Sequence, residues 1–152
     1  MNHLHYLYVT YIATTPETLW SALTNPSPTR LWWVNPGDAH AHEAQSDWKS
    51  GSPWKLSSTD GSGQTHIAGK VEETTPPSRL VFSWARPSEE ADASKHSRVA
   101  FDIEPYGNGL VRLTVSHSEL DEAVHAGISG GWPKVLSNLK TFLETGKALA
   151  KT

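Results

Sequence analysis

His117 ends a period-two run, Val111, Leu113, Val115, His117, set against Arg112, Thr114 and Ser116. A strand with that pattern turns one face inward, and the imidazole shares it. Buried there, it needs hydrogen-bond partners. Near neutrality it could orient a polar ligand group or act as acid or base. Ser116 and Ser118 point to the opposite face, so Ser116-His117-Ser118 is not a triad. Asp102 and Arg112 also face outward and cannot assist His117. His3-x-His5 and His40-x-His42 place imidazoles, ligands for zinc, copper or nickel, in close pairs. Both pairs fall in a terminus or a loop without further ligands, so no metal site is expected. The chain has no His-Glu-x-x-His and no phosphate-cradling glycine loop. It has no cysteine, which removes disulfides, thiolate zinc and thiol nucleophiles.

Seven Trp and three Phe are a large apolar content for 152 residues. Trp54, Phe82, Trp84, Phe101 and Trp132 fall on faces assigned inward. Each such ring buries ~150–250 Å², and ~4–6 kcal/mol of upper-bound transfer energy accounts for them as core alone. The functional alternative is that several line one cavity, since wide indoles opposite Gly69 and Ser58 leave gaps. The candidate ligand-binding set is Trp32, Trp33, Trp54, Phe82, Trp84, Phe101, Trp132, Leu136 and Leu139 as apolar walls, with His117 as polar anchor.

Certain elements must position these residues. Leu4 to Ile12 reads as a strand. Thr15-Pro16-Glu17 opens a short helix, with Thr15 as cap and Pro16 in the first turn. Asn25-Pro26 repeats the signal, and Leu31-Trp32-Trp33 ends a second short helix before an Asn35-Pro36-Gly37 break. About six alternating strands follow, joined by short turns such as Asp60-Gly61-Ser62-Gly63 and Pro105 to Gly109, with a polar loop at Pro87 to Lys95. They predict a one-faced antiparallel meander. Arg98 and Arg112 are expected as cross-strand neighbours on its outer face. Ile128, Trp132, Val135, Leu136, Leu139, Phe142 and Leu143 then form one helical stripe. Pro133 is expected in that helix's first turn, because an interior proline costs ~3 kcal/mol, and Gly146 near its end. The order implies an α+β fold of one domain over 1–152, the helix covering the sheet's apolar face.

Thirteen Lys+Arg against sixteen Asp+Glu give a net charge of −3, so no basic footprint for nucleic acid is present. No apolar run approaches the ~20 residues of a membrane span. The first residues lack the basic-then-apolar order of a signal peptide, so a cytoplasmic, non-membrane protein is expected.

Ile12-Ala13-Thr14-Thr15-Pro16-Glu17-Thr18-Leu19-Trp20 resembles the opening of the START-like superfamily, also called birch-pollen-allergen-like or SRPBCC. Trp32-Trp33, Gly51-Ser52-x-Trp54, Gly69-Lys70-Val71, Pro77-x-Arg79-Leu80 and Gly131-Trp132-x-x-Val135-Leu136-x-x-Leu139-Lys140 resemble its branch named for the activator of heat-shock-protein-90 ATPase. The resemblance implies a helix-grip fold. In that fold a curved antiparallel sheet of about six to seven strands wraps a long C-terminal helix, with two short helices after the first strand. It also implies a link to stress response. The eukaryotic co-chaperones of the branch resemble this chain only in their C-terminal half. Their N-terminal domain has no counterpart in these residues, so activation of the chaperone ATPase is not expected.

The expectation is therefore binding of a hydrophobic or amphipathic small molecule between sheet and C-terminal helix, without a cofactor. A cyclase- or dehydratase-like enzyme using His117 and a protein-binding or chaperone-linked module are the alternatives. The sheet edges leave a homodimer open.

Overall fold

The computed structural model describes residues 4–34 and 41–148. His3, His40 and the Asn35-Pro36-Gly37 break lie outside the described residues. Strand β1 (Leu4–Ile12) leads into α1 (Pro16–Thr24) and α2 (Pro26–Trp32). Six strands follow: β2 (His42–Ser46), β3 (Pro53–Ser58), β4 (Thr65–Thr75), β5 (Arg79–Trp84), β6 (Ser97–Pro105) and β7 (Val111–Leu120). The helix α3 (Glu122–Thr145) comes last. The strands form one antiparallel sheet in the order β1-β7-β6-β5-β4-β3-β2. This is the expected helix-grip fold.

Local chemistry places the ends of the helices. Thr15 Oγ1 accepts from Thr18 N–H at the start of α1. Asp121 accepts from Val124 N–H at the start of α3. Gly146 closes α3 at φ +83°, a left-handed conformation that suits glycine.

Strand β4 curves the sheet. Its first half pairs with β3 and its second half with β5. Where the partners change, Gly69 lies opposite Trp54. A Cβ at Gly69 would stand 2.1 Å from Ser83 O, so only glycine fits. The same carbonyl accepts from Trp54 Nε1 at 2.6 Å. The bend, the glycine and the indole thus form one device. It sets the Trp54, Phe82 and Phe101 rings edge to face, with centroids 4.6 and 5.4 Å apart.

The inward faces of β5, β6 and β7 supply Leu80, Phe82, Val99, Phe101, Ile103, Val111, Leu113 and Val115 to the core. Leu19 and Leu23 of α1 and Trp132, Val135, Leu136 and Leu139 of α3 close it.

Two expectations are corrected. Pro133 lies well inside α3, which starts at Glu122 rather than just ahead of the proline. The helix continues through it because the burial of Trp132, Val135, Leu136 and Leu139 on the sheet outweighs one missing hydrogen bond. Arg98 and Arg112 are not neighbours. The β6–β7 turn sets a register that places Arg98 opposite Ser118 and Arg112 opposite Glu104. Arg98 pairs with Glu72 and Glu119, and Arg112 with Glu104.

Candidate functional site

His117 is fully buried, with both ring nitrogens engaged. Trp132 Nε1–H donates to Nδ1 at 3.0 Å. The ring proton therefore sits on Nε2, which donates to Ser97 Oγ at 2.7 Å, and Ser97 in turn donates to the Trp84 carbonyl at 3.2 Å. This relay uses the neutral imidazole completely. Burial, reinforced by the charge of His5, pushes the His117 pKa down to about 3. The ring has neither a free lone pair nor a proton to offer near neutral pH.

The relay pins α3 to the middle of the sheet at Trp132. From there on the helix packs closely: Trp132, Val135, Leu136, Asn138 and Leu139 are buried. Asn138 Nδ2 donates to Val34 O at 2.5 Å, tying α3 to the end of α2. Ahead of Trp132, no α3 residue is fully buried.

A trough lies beneath that first half. Its inner chamber, about 240 Å³, is lined by Trp33, His42, Leu56, His66, Ile67, Trp84, Gly127, Ile128, Gly131, Trp132 and Val135. An outer chamber of about 270 Å³ opens toward Arg86, Glu89, Lys95, Glu119 and Asp121. The two chambers share Ile67, Trp84, Gly127 and Ile128, so they adjoin. Apolar walls in one chamber and charged residues around the other suit an apolar or amphipathic molecule.

Gly127 and Gly131 stand one helical turn apart on the trough face. A mid-helix glycine is destabilising by roughly 0.5–1 kcal/mol relative to alanine. No packing demands it at 127, where an added Cβ would meet nothing within 4 Å.

Of the residues expected to bind ligand, the structure brings Trp33, Trp84 and Trp132 together on the trough. Trp32, Trp54, Phe82, Phe101, Leu136 and Leu139 lie in the core cluster and line neither chamber. His117 lies behind Trp84 and Trp132, at ring-centroid distances of 5.3 and 6.2 Å. Sequence reasoning missed His66, Leu56, Ile67, Ile128, Val135 and the two glycines as lining residues. The available signal was the Gly127–Gly131 spacing in a helix otherwise rich in apolar residues. In the sequence His42 stands out only as half of a His-x-His pair. Its ring meets His66 edge to face at 4.8 Å, and His42 Nδ1 lies 3.3 Å from the Trp33 carbonyl. Among the described residues, no three His, Asp or Glu side chains gather as a metal site. No helix among them is long and apolar enough to cross a membrane.

Residues 13–144 match the family model described as Activator of Hsp90 ATPase homolog 1-like protein, and the chain belongs to that family. No curated protein matches it. Among solved structures, the Aha1 dimer from Colwellia psychrerythraea is similar at TM-score 0.73 and 23% identity, covering 95% of this chain and 99% of that one. PFC0360w, an HSP90 activator from Plasmodium falciparum, is similar at TM-score 0.72 and 21% identity, covering 92% and 96%. CalU16 from Micromonospora echinospora is similar at TM-score 0.70 and 20% identity, covering 93% and 77%. At these identities the likeness establishes the shared fold.

The buried neutral imidazole carries a pH signature. In the unfolded chain His117 titrates near ~6.5, whereas folded it titrates at about 3. Between those values the unfolded state binds more protons, so stability falls as pH drops, by up to about 1.4 kcal/mol per unit. The contribution is fully present above 6.5. Urea unfolding from pH 7 to pH 5 should show this slope. His117→Gln should be less stable at pH 7 but show a shallower slope, and an unchanged slope would contradict the assignment.

Proposed function

We propose that this protein binds an apolar or amphipathic small molecule in the trough between the first half of α3 and the sheet. The observation that carries the reading is Gly127. Helix stability disfavours a glycine there and packing does not require it, yet it borders both chambers. Space for a ligand accounts for it. Burial of the ligand's apolar body against Trp33, Trp84 and Trp132 would supply the driving force. A cyclase- or dehydratase-like reaction through His117 gains no support, because both nitrogens of that ring are held by Trp132 and Ser97. The chaperone-linked reading rests on the names of the family and its relatives.

A second proposal concerns self-association. β1 is an edge strand whose nine residues, Leu4–Ile12, include no Lys, Arg, Asp, Glu or Pro. It exposes Leu7 and Val9. Edges without charge or proline are open to pairing with another strand, and the Colwellia relative is described as a dimer. We propose that two copies pair through β1.

Each reading has a direct test. Gly127→Leu adds a better helix former that fills the trough. Its thermal midpoint without ligand should equal or exceed the wild type's. Its affinity for N-phenyl-1-naphthylamine, followed by dye fluorescence, should fall about tenfold or more, the loss of more than ~1.4 kcal/mol of apolar contact. Equal dye binding by the two proteins, or none by the wild type, would refute the trough as a ligand site. For self-association, sedimentation velocity should show a wild-type dimer that Val9→Lys converts to monomer. A monomeric wild type, or a variant that stays dimeric, would remove the β1 pairing.

A further inference from the structure

An indole N–H can only donate, and a buried Trp usually finds an acceptor for it. Four of the seven do so within the protein. Trp32 donates to Ala22 O at 3.0 Å and Trp48 to Thr24 O at 2.6 Å. Trp54 donates to Ser83 O and Trp132 to His117 Nδ1. Trp20, half-buried on α1, lines neither chamber of the trough. Trp33 and Trp84 remain. Neither indole N–H has an acceptor among the described residues, although Trp33 is only 5% exposed. Both rings line the inner chamber.

The two rings are held in place. Trp33 stacks on Trp32 at 5.0 Å, and its carbonyl accepts from His42 N–H at 2.8 Å. Trp132 lies against both, with centroids 6.0 Å from Trp33 and 5.5 Å from Trp84. Two rings held by their neighbours on the wall of one chamber, each with an uncommitted N–H, would offer a pre-organised donor to an acceptor atom.

The lining narrows the acceptor's chemistry. The inner chamber has no Lys, Arg, Asp or Glu, so it offers no fixed counter-charge and favours a neutral polar group. It has no Asn, Gln, Ser or Thr side chain either; besides the indoles, its polar side chains are the imidazoles of His42 and His66, which meet edge to face at 4.8 Å. Resting on the ligand-binding reading above, we infer that the ligand is an apolar compound bearing a neutral carbonyl oxygen, which accepts from the indole N–H of Trp33 or Trp84.

The test compares 2-acetylnaphthalene with 2-ethylnaphthalene, which has nearly the same shape without the oxygen, by titration calorimetry. The wild type should prefer the ketone by roughly threefold to tenfold, the range for one neutral hydrogen bond. Trp33→Phe and Trp84→Phe keep a ring and lose the N–H. At least one should bring the ketone-to-hydrocarbon affinity ratio to about one, even where the lost ring area weakens the binding of both compounds. Infrared spectroscopy of the ketone bound to wild type needs no variant. Its carbonyl band should lie at lower frequency than in hexane, as a donated hydrogen bond requires. Equal affinities, a preference that survives both substitutions, or an unshifted band would overturn the inference and leave the trough reading intact. Failure of both compounds to bind would overturn the trough reading together with the inference built on it.

Discussion

The hydrogen bond from Trp132 to His117 determines where the long helix sits on the sheet. A buried imidazole on a strand must be satisfied, and here its partners come from two other elements, α3 and β6. Once Trp132 is fixed there, Val135, Leu136 and Leu139 follow into the core at helical spacing. Lys140, which donates to Tyr11 O, and Glu144, which accepts from Ala13 N–H, fasten the far end to β1. Ahead of Trp132 the helix packs more loosely: no residue there is fully buried, and Ile128 reaches the core only in part. The trough is thus the space left when a helix is pinned at its middle and at one end.

This arrangement divides the tryptophans by role. Trp32 and Trp48 donate their N–H groups to carbonyls of α1 and Trp54 to one of β5, and they serve the fold. Trp33 and Trp84 add apolar wall while keeping their donors uncommitted. The outer face contributes less to stability. The arginine pairs of Arg79, Arg98 and Arg112 are all substantially exposed, and such pairs are worth ~0–1 kcal/mol each. The convex surface keeps the sheet hydrated, and the inner face carries the energetics.

Much of the architecture was legible in the chain, because turns and capping residues act locally. Thr15-Pro16, Asn25-Pro26 and the period-two runs from Trp54 to His117 place the elements where the structure has them. Inward-facing residues could be listed for the same reason. Which of them meet a cavity could not, because that depends on how far α3 stands from the sheet. Phe82 and Phe101 look identical to Trp84 in sequence pattern, yet the bend at Gly69 and the pin at Trp132 place them in the packed core. Pro133 misled because a local penalty was weighed without the tertiary burial on either side of it. His117 was correctly placed inward, but its partners, Ser97 and Trp132, are distant in sequence and could not be paired without the register.

Of the seven indole N–H groups, those of Trp33 and Trp84 lie on the trough wall without an acceptor among the described residues. Proton–nitrogen correlation NMR resolves indole N–H groups individually, and substitution assigns them. On titration with 2-acetylnaphthalene, the Trp33 and Trp84 signals should move most, while those of Trp32, Trp48 and Trp54 stay in place. Movement confined to the latter group, or no movement at any indole, would contradict the account.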